Sequence, residues 1–174
     1  MKVLFILPLS KGGLVHYTAE LANAIAKYED VTVVKPNKTD VDSVFSDKVD
    51  VRNWFLSFPL YLLDLCQNIS ISKFVELARG LISYKNIELV YELDPDVIHL
   101  PAGVFPHIQI FLKLYKVDEK YPIIVTHHEV LSNKPGLLSI DILSDLYIII
   151  NNIVPVLREA KSIVHRKEAK NLLI

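Results

Sequence analysis

Two adjacent glycines, Gly12 and Gly13, are the strongest local sign of chemistry in this sequence. They stand between a short apolar run and a segment with helical spacing, which places them at a strand-to-helix turn. A backbone without side chains lets a ligand approach closely, and the start of the helix behind it offers N–H groups and a positive dipole. A phosphate or diphosphate is the natural ligand for such a turn. The alternative is that the glycines only permit a tight turn.

Histidines recur where predicted strands end, which is where parallel sheets bind their ligands. His99 ends one strand, His127, His128 and Glu129 follow the next, and His16 lies in the first helical turn. Successive side chains of an extended segment point to opposite sides, so His127 and His128 cannot both face one ligand. Three interpretations of the His-His-Glu run stay open: metal ligands, a hydrogen-bonded pair in the core, or contacts to the hydroxyl and phosphate groups of a sugar. No metal site is predicted, because the run lacks i, i+4 spacing and a clear third ligand.

The absence of several familiar motifs narrows the chemistry further. The sequence contains no G-x-G-x-x-G after its first strand, no G-x-x-x-x-G-K-[ST] and no G-x-S-x-G. A dinucleotide fingerprint, a P-loop and a nucleophile elbow are therefore not indicated. The single cysteine, Cys66, lies in an apolar segment and is expected to be a core residue. One cysteine allows no internal disulfide, and this fits a cytoplasmic setting.

Composition restricts the class of protein. The chain has 174 residues, 19 of them basic and 20 acidic, for a net charge of −1. This balance excludes a strongly basic nucleic-acid binder, and the length suits one domain over residues 1–174. The hydrophobic fraction of 51% is high, which is expected when strands are buried on both faces. No run reaches the ~18 uncharged apolar residues of a membrane span.

The apolar runs and helical periodicities alternate along the chain. They predict strands at 3–7, 31–34, 48–51, 97–100, 122–126 and 162–165. Helices are predicted at 14–28, 54–66, 72–93 with a break near 84–86, 105–115, 139–157 and 167–173. The expected fold is α/β: a Rossmann-like, doubly wound parallel sheet of about six strands with helices on both faces. Segment 54–66 either packs as a core helix, which we favour, or lines an acceptor- or membrane-facing surface.

Four segments in this order resemble the N-terminal half of a GT-B glycosyltransferase of the group 1 type, family 4. The first is the strand, Gly-Gly loop and helix PLSKGGLVHYTAELANAIAK, residues 8–27. The second is the Pro-Asp-Val-Ile-His strand at 95–99, and the third is Val-Thr-His-His-Glu at 125–129. The last is the strand and helix of residues 162–174. The resemblance covers nearly the whole chain, but Pro101 stands where many relatives have a second histidine.

The resemblance implies transfer of a sugar from a nucleotide-diphospho-sugar to an acceptor hydroxyl, without a metal or resident cofactor. It implies that Gly12 and Gly13 approach the diphosphate and that His128 and Glu129 occupy the family's His-acid position at the donor sugar. His16 and His99 are further binding candidates.

The resemblance also implies partners. A C-terminal domain or partner chain would bind the nucleotide, so this domain is expected to be inactive alone. The acceptor would be a sugar or a lipid-linked molecule. Contact with the inner face of a membrane and pairing of two copies of the chain are expectations of the same kind.

Two alternatives to a transferase remain at this point. One is a non-catalytic binding or scaffold domain that acts with a partner chain. The other is a stand-alone nucleotide- or sugar-binding α/β protein, which would bind a nucleotide without help.

Overall fold

The structure, a computed structural model, describes residues 1–56, 71–103, 105–127 and 161–164. Its strands are β1 (Lys2–Ile6), β2 (Asp30–Pro36), β3 (Val49–Phe55), β4 (Val97–Leu100), β5 (Ile123–His127) and β6 (Lys161–Val164). Its helices are α1 (Gly13–Ile25), α2 (Ile71–Ser83), α3 (Val90–Leu93), α4 (Pro106–Leu114) and α5 (Val117–Lys120). A 3₁₀ helix, Tyr84–Leu89, joins α2 to α3.

The strands form one sheet in the order β3-β2-β1-β4-β5-β6, and each neighbouring pair is parallel. The central strand β1 pairs with β2 on one side and with β4 on the other. The expected α/β class, with a Rossmann-like parallel sheet, is thereby confirmed. The order also places a topological switch point between β1 and β4, because the chain leaves these two strands in opposite directions.

The apolar run of β1 is divided between two hydrophobic clusters. Leu4 and Ile6 belong to one cluster, and Val3, Phe5 and Leu7 belong to the other. Alternate side chains of a strand point to opposite faces, so this central strand is buried on both. Helix α4 contributes Ile108 and Leu112 to the first cluster, and α1 contributes Val15, Ala19 and Ala22 to the second.

Most predicted elements appear within a few residues of their expected positions. The phase slip near residues 84–86 was predicted to break a long helix, and α2 does end at Ser83, where the 3₁₀ helix begins. The expected helix 54–66 is wrong at its start, because Trp54 and Phe55 belong to β3 and are buried in the first cluster. Burial of these two aromatic rings against the sheet favours extending the strand. The predicted helices 139–157 and 167–173 and Cys66 lie outside the described residues.

Candidate functional site

The carboxyl ends of β1 and β4 lie side by side at the switch point. Phe5 of β1 is in register with His99 of β4, and His99 is in register with Ile124 of β5. The turn after β1 therefore emerges at the same edge of the sheet as the loops after β4 and β5. Open α/β sheets bind their ligands in the crevice at this position.

The glycine turn after β1 has a backbone that only glycine adopts easily. Gly12 is the N-cap residue of α1, with φ 100° and ψ 178°. A Cβ at Gly12 or Gly13 would meet no atom within 4 Å, and both residues are exposed. The Gly12 carbonyl accepts hydrogen bonds from the N–H groups of Val15 and His16, which closes the first turn of α1. The predicted phosphate site is thus an open helix start without a capping side chain.

His99 is placed at the predicted edge but is buried, with 7% of its surface exposed. Its Nε2 atom lies 2.8 Å from Oγ1 of Thr126 at the end of β5. Its ring packs against Phe5, with centroids 5.0 Å apart. These contacts make His99 a residue that links three central strands beneath the crevice. The loop that follows turns at Gly103, which has a φ of 84° and lies close to the carbonyl oxygen of Thr126.

The other predicted site residues divide into two groups. His16 is exposed in the first turn of α1, on the same turn as the glycines. His128 and Glu129 lie outside the described residues, and the described part of the chain ends at His127 on that side of β5. The structure therefore brings Gly12, Gly13 and His16 together and leaves the His-acid position untested.

A buried lysine beside this edge was missed in the sequence. Lys35, the penultimate residue of β2, is 2% exposed. Its Nζ atom forms an ion pair with Oδ1 of Asp42 at 2.7 Å and donates hydrogen bonds to Oδ1 of Asn53 at 2.9 Å and to the carbonyl of Pro36 at 3.1 Å. The three acceptors match the three donors of an ammonium group. The sequence does contain a sign of this buried lysine, because a charged residue stands inside the β-branched run that precedes Pro36.

Partial burial acts to raise the pKa of Asp42, but hydrogen bonds from Lys35 and Thr39 outweigh it. The pKa of Asp42 consequently lies below its ordinary value of 3.8. Its carboxylate therefore stays charged near neutral pH.

An aromatic cluster supports the edge from the other face of the sheet. The ring of Tyr84, which is fully buried, stacks on Phe55 at 4.5 Å and meets His107 edge-on at 4.4 Å. Its hydroxyl lies 3.4 Å from the carbonyl oxygen of Pro8, in the turn that leads to the glycines. Burial raises the pKa of Tyr84 and lowers that of His107 to about 4. Near neutral pH His107 is therefore an uncharged packing residue.

The described residues offer two further observations about ligands. Among them, no three His, Cys, Asp or Glu side chains converge on a point that could hold a metal ion. A cleft of about 290 Å³ opens at the opposite, amino edge of the sheet, and its lining includes Lys2, Asp30, Arg52 and Glu92. Its mixed charges and its distance from the switch point set it apart from the predicted site.

Within the described ranges, no helix combines the length and the apolar character that crossing a membrane would require. Comparison of the sequence with protein-family models and with curated proteins finds no match in either set. The family thus stays a prediction from the four sequence motifs.

Proposed function

We propose that this chain is the N-terminal, acceptor-side domain of a GT-B glycosyltransferase. It would help to move a sugar from a nucleotide-diphospho-sugar to an acceptor hydroxyl. The observation that supports this best is the glycine turn: an open helix start with a positive φ at Gly12, directly beside the switch point of a parallel sheet. Donor phosphates would bind the backbone N–H groups at the start of α1.

The finer parts of the resemblance belong to the same proposal. The complete domain is a doubly wound sheet of about six strands with helices on both faces. His128 orients the donor sugar, Glu129 fixes the neighbouring loop or binds an acceptor hydroxyl, and His16 contacts the phosphates from the first turn of α1. His99 acts from beneath, as part of the floor of the crevice.

The partner side of the proposal has its own support. Ile110 and Leu114 lie one turn apart on α4 and are 48% and 64% exposed. A C-terminal domain, a partner chain, a lipid-linked acceptor or a second copy of the chain would cover such apolar surface. Peripheral membrane contact is proposed on the same ground, and a cytoplasmic location is proposed from the single cysteine.

The end of β2 argues against the stand-alone nucleotide-binding alternative. In dinucleotide-binding sheets, an acidic residue about 20 residues after the glycine turn accepts hydrogen bonds from the ribose. Lys35 is found in that region, and its Nζ atom is engaged by three protein oxygens. At this position of β2 the chain has a lysine whose donors are already bound, in place of the acidic side chain that would accept from a ribose hydroxyl.

Titration of the ¹⁵N-labelled chain with inorganic pyrophosphate, and then with UDP-glucose, tests the phosphate site. We expect the amide signals of Gly12, Gly13 and Leu14 to shift with both ligands. Gly13→Ala should weaken this binding, because its methyl group enters the open space without touching the protein. Lys2→Ala, at the amino-edge cleft, is the control that should bind as the wild type does. Shifts centred on that cleft would overturn the assignment of the site.

The transferase step is tested with a longer protein. We expect the reading frame after Ile174 to encode an E-x₇-E segment, as the resemblance implies. A protein that includes it should transfer sugar from a panel of nucleotide sugars. A longer protein that binds pyrophosphate at the glycine turn but transfers no sugar would favour the non-catalytic alternative.

A further inference from the structure

The buried Lys35 holds the segment that runs beside the glycine turn. This segment, the β2–β3 connection, comprises residues 37–48. Alternation along β2 places Lys35 on the face of Val31 and Val33, which is the face that α1 covers. Its ion pair with Asp42 and its bond to Asn53 tie the connection to the ends of β2 and β3.

The connection in turn contacts the chain that leads into the glycines. The N–H group of Asp40 donates to the carbonyl oxygen of Ser10 at 3.0 Å, two residues before Gly12. Between Asp40 and Asp42, the side chain of Val41 is completely buried in the cluster that contains Val15 of α1. The ion pair and the turn are therefore joined by one short, packed path.

A second set of bonds fixes the far end of the connection to α1. The side-chain amide of Asn23 donates to the carbonyl of Val44 at 2.9 Å and accepts from the N–H of Ser46 at 2.8 Å. The connection is thus attached to α1 at one end and to Lys35 at the other. We expect loss of the Lys35 attachment to loosen the end that lies against Ser10 and to leave the Asn23 end in place.

We propose that the Lys35–Asp42 ion pair is a positioning device for anion binding, which holds the glycine turn in its binding conformation through the bond from Asp40 to Ser10. This role rests on the proposed function, namely diphosphate binding at the turn. Lys35 itself does not touch the ligand, because its three donors face protein oxygens. It is a positioning residue.

The experiment compares Asp42→Asn with Asp50→Asn in the full chain. Asp50 forms an ion pair with Arg52 at 2.8 Å on the exposed surface of β3, so it is a matched control. Pyrophosphate affinity is measured by calorimetry, and the Gly12 and Gly13 amide signals are recorded without ligand. We expect Asp42→Asn to weaken binding about fivefold and to shift both amides, as coupling through packed contacts allows. Asp50→Asn should change neither, and Asp42→Glu, which keeps the charge, should recover part of the affinity.

The outcomes separate this role from a merely structural one and from the proposed function. A merely structural ion pair would lower the melting temperature of Asp42→Asn but leave the affinity and the glycine amides of the folded protein unchanged. That result would overturn the positioning role while the phosphate site stands. If the wild type binds no pyrophosphate, the phosphate site fails. The ligand-free amide signals still decide whether the ion pair controls the turn.

Discussion

Two lysines at opposite edges of the sheet make similar bonds in different surroundings. Lys35, near the carboxyl end of β2, is buried and bound by three oxygen atoms. Lys120 precedes β5 at the amino edge, where its side chain is half exposed. Its Nζ atom bonds to the hydroxyl of Tyr121 at 2.7 Å and to Asp94 at 3.1 Å, and it lies over the ring of Tyr91.

The two lysines differ in whether water could replace their hydrogen-bond partners. The bonds to Tyr121 and Asp94 raise the pKa of Lys120, but water can replace them. Water has little access to Lys35, so its partners must remain for the charge to stay buried. The two lysines thus differ in burial much more than in their number of bonds, and we expect the buried one to contribute more to stability. The buried lysine lies at the edge that carries the predicted site.

Lys35→Met should cause the largest loss of stability. The substitution leaves the buried Pro36 carbonyl and the side-chain oxygen of Asn53 without their donor, whereas the half-exposed Asp42 can bind water instead. We expect the free energy of unfolding to fall by about 2–3 kcal/mol. Urea denaturation measures this. Arg52→Met, which breaks an exposed ion pair on the neighbouring strand, should cost less than about 0.5 kcal/mol. Equal losses for the two variants would remove the distinction between a buried and an exposed cationic side chain.

Acid should destabilise the carboxyl-edge side through His107. Burial lowers the pKa of His107 to about 4, whereas the unfolded chain takes up this proton near pH 6.5. Stability is therefore unaffected above that pH and falls as the pH drops from 6.5 towards 4, by about 2 kcal/mol at pH 5. His107→Phe keeps the ring packing and should flatten this part of the profile. His16→Gln, at an exposed histidine, should leave the slope as it is; a loss of slope there would contradict the assignment.

Substitutions in the glycine turn should change stability less, and the two neighbouring glycines serve as controls for each other. Gly12→Ala forces a Cβ residue to φ 100°, which should cost about 1–2 kcal/mol. Gly13→Ala meets open space at an ordinary φ and should be neutral or slightly stabilising. Thermal unfolding of the two variants measures the difference. Equal melting temperatures would mean that the backbone at Gly12 is not strained as described.

Lys120→Met should have the smallest effect of the four. Its partners Asp94 and Tyr121 stay accessible to water, and its contact with the Tyr91 ring is partly kept by the apolar part of methionine. The urea midpoint should move less than in Lys35→Met or Gly12→Ala, and the small difference from the wild type should shrink as salt is added. A loss as large as that of Lys35→Met would show that the amino edge is held as firmly as the carboxyl edge.

The predictable parts of this fold are the elements that local sequence patterns determine. The apolar runs located β1 and β4, the helical period located α1, and the phase slip located the break at Ser83. The turn residues Gly12 and Gly13 were also visible, because a Gly-Gly pair between a strand and a helix has few other uses. Trp54 and Phe55 were misassigned, because a short aromatic run has no period that separates a strand from a helix.

The contacts of Lys35 and His107 could not be predicted in the same way. A lysine is ordinarily exposed, and only the folding of residues 37–48 across the end of β2 brings Asp42 to within 2.7 Å of it. Burial keeps His107 uncharged near neutral pH, and the rings that pack on it come from Tyr84 of the 3₁₀ helix and from Phe105. Each case depends on a partner from a separate element.

By itself, the sequence determined that this protein is an α/β domain with a glycine turn after its first strand. Hydrophobic period and turn chemistry act over a few residues, so they are visible in the chain. Only the tertiary structure decided that His99 lies buried against Thr126 and that a buried lysine, paired with Asp42, lies next to the glycine turn. The burial of His99 and of Lys35 depends on residues from other elements of the fold, which remove water from these polar side chains. Local sequence patterns do not show which elements will pack together.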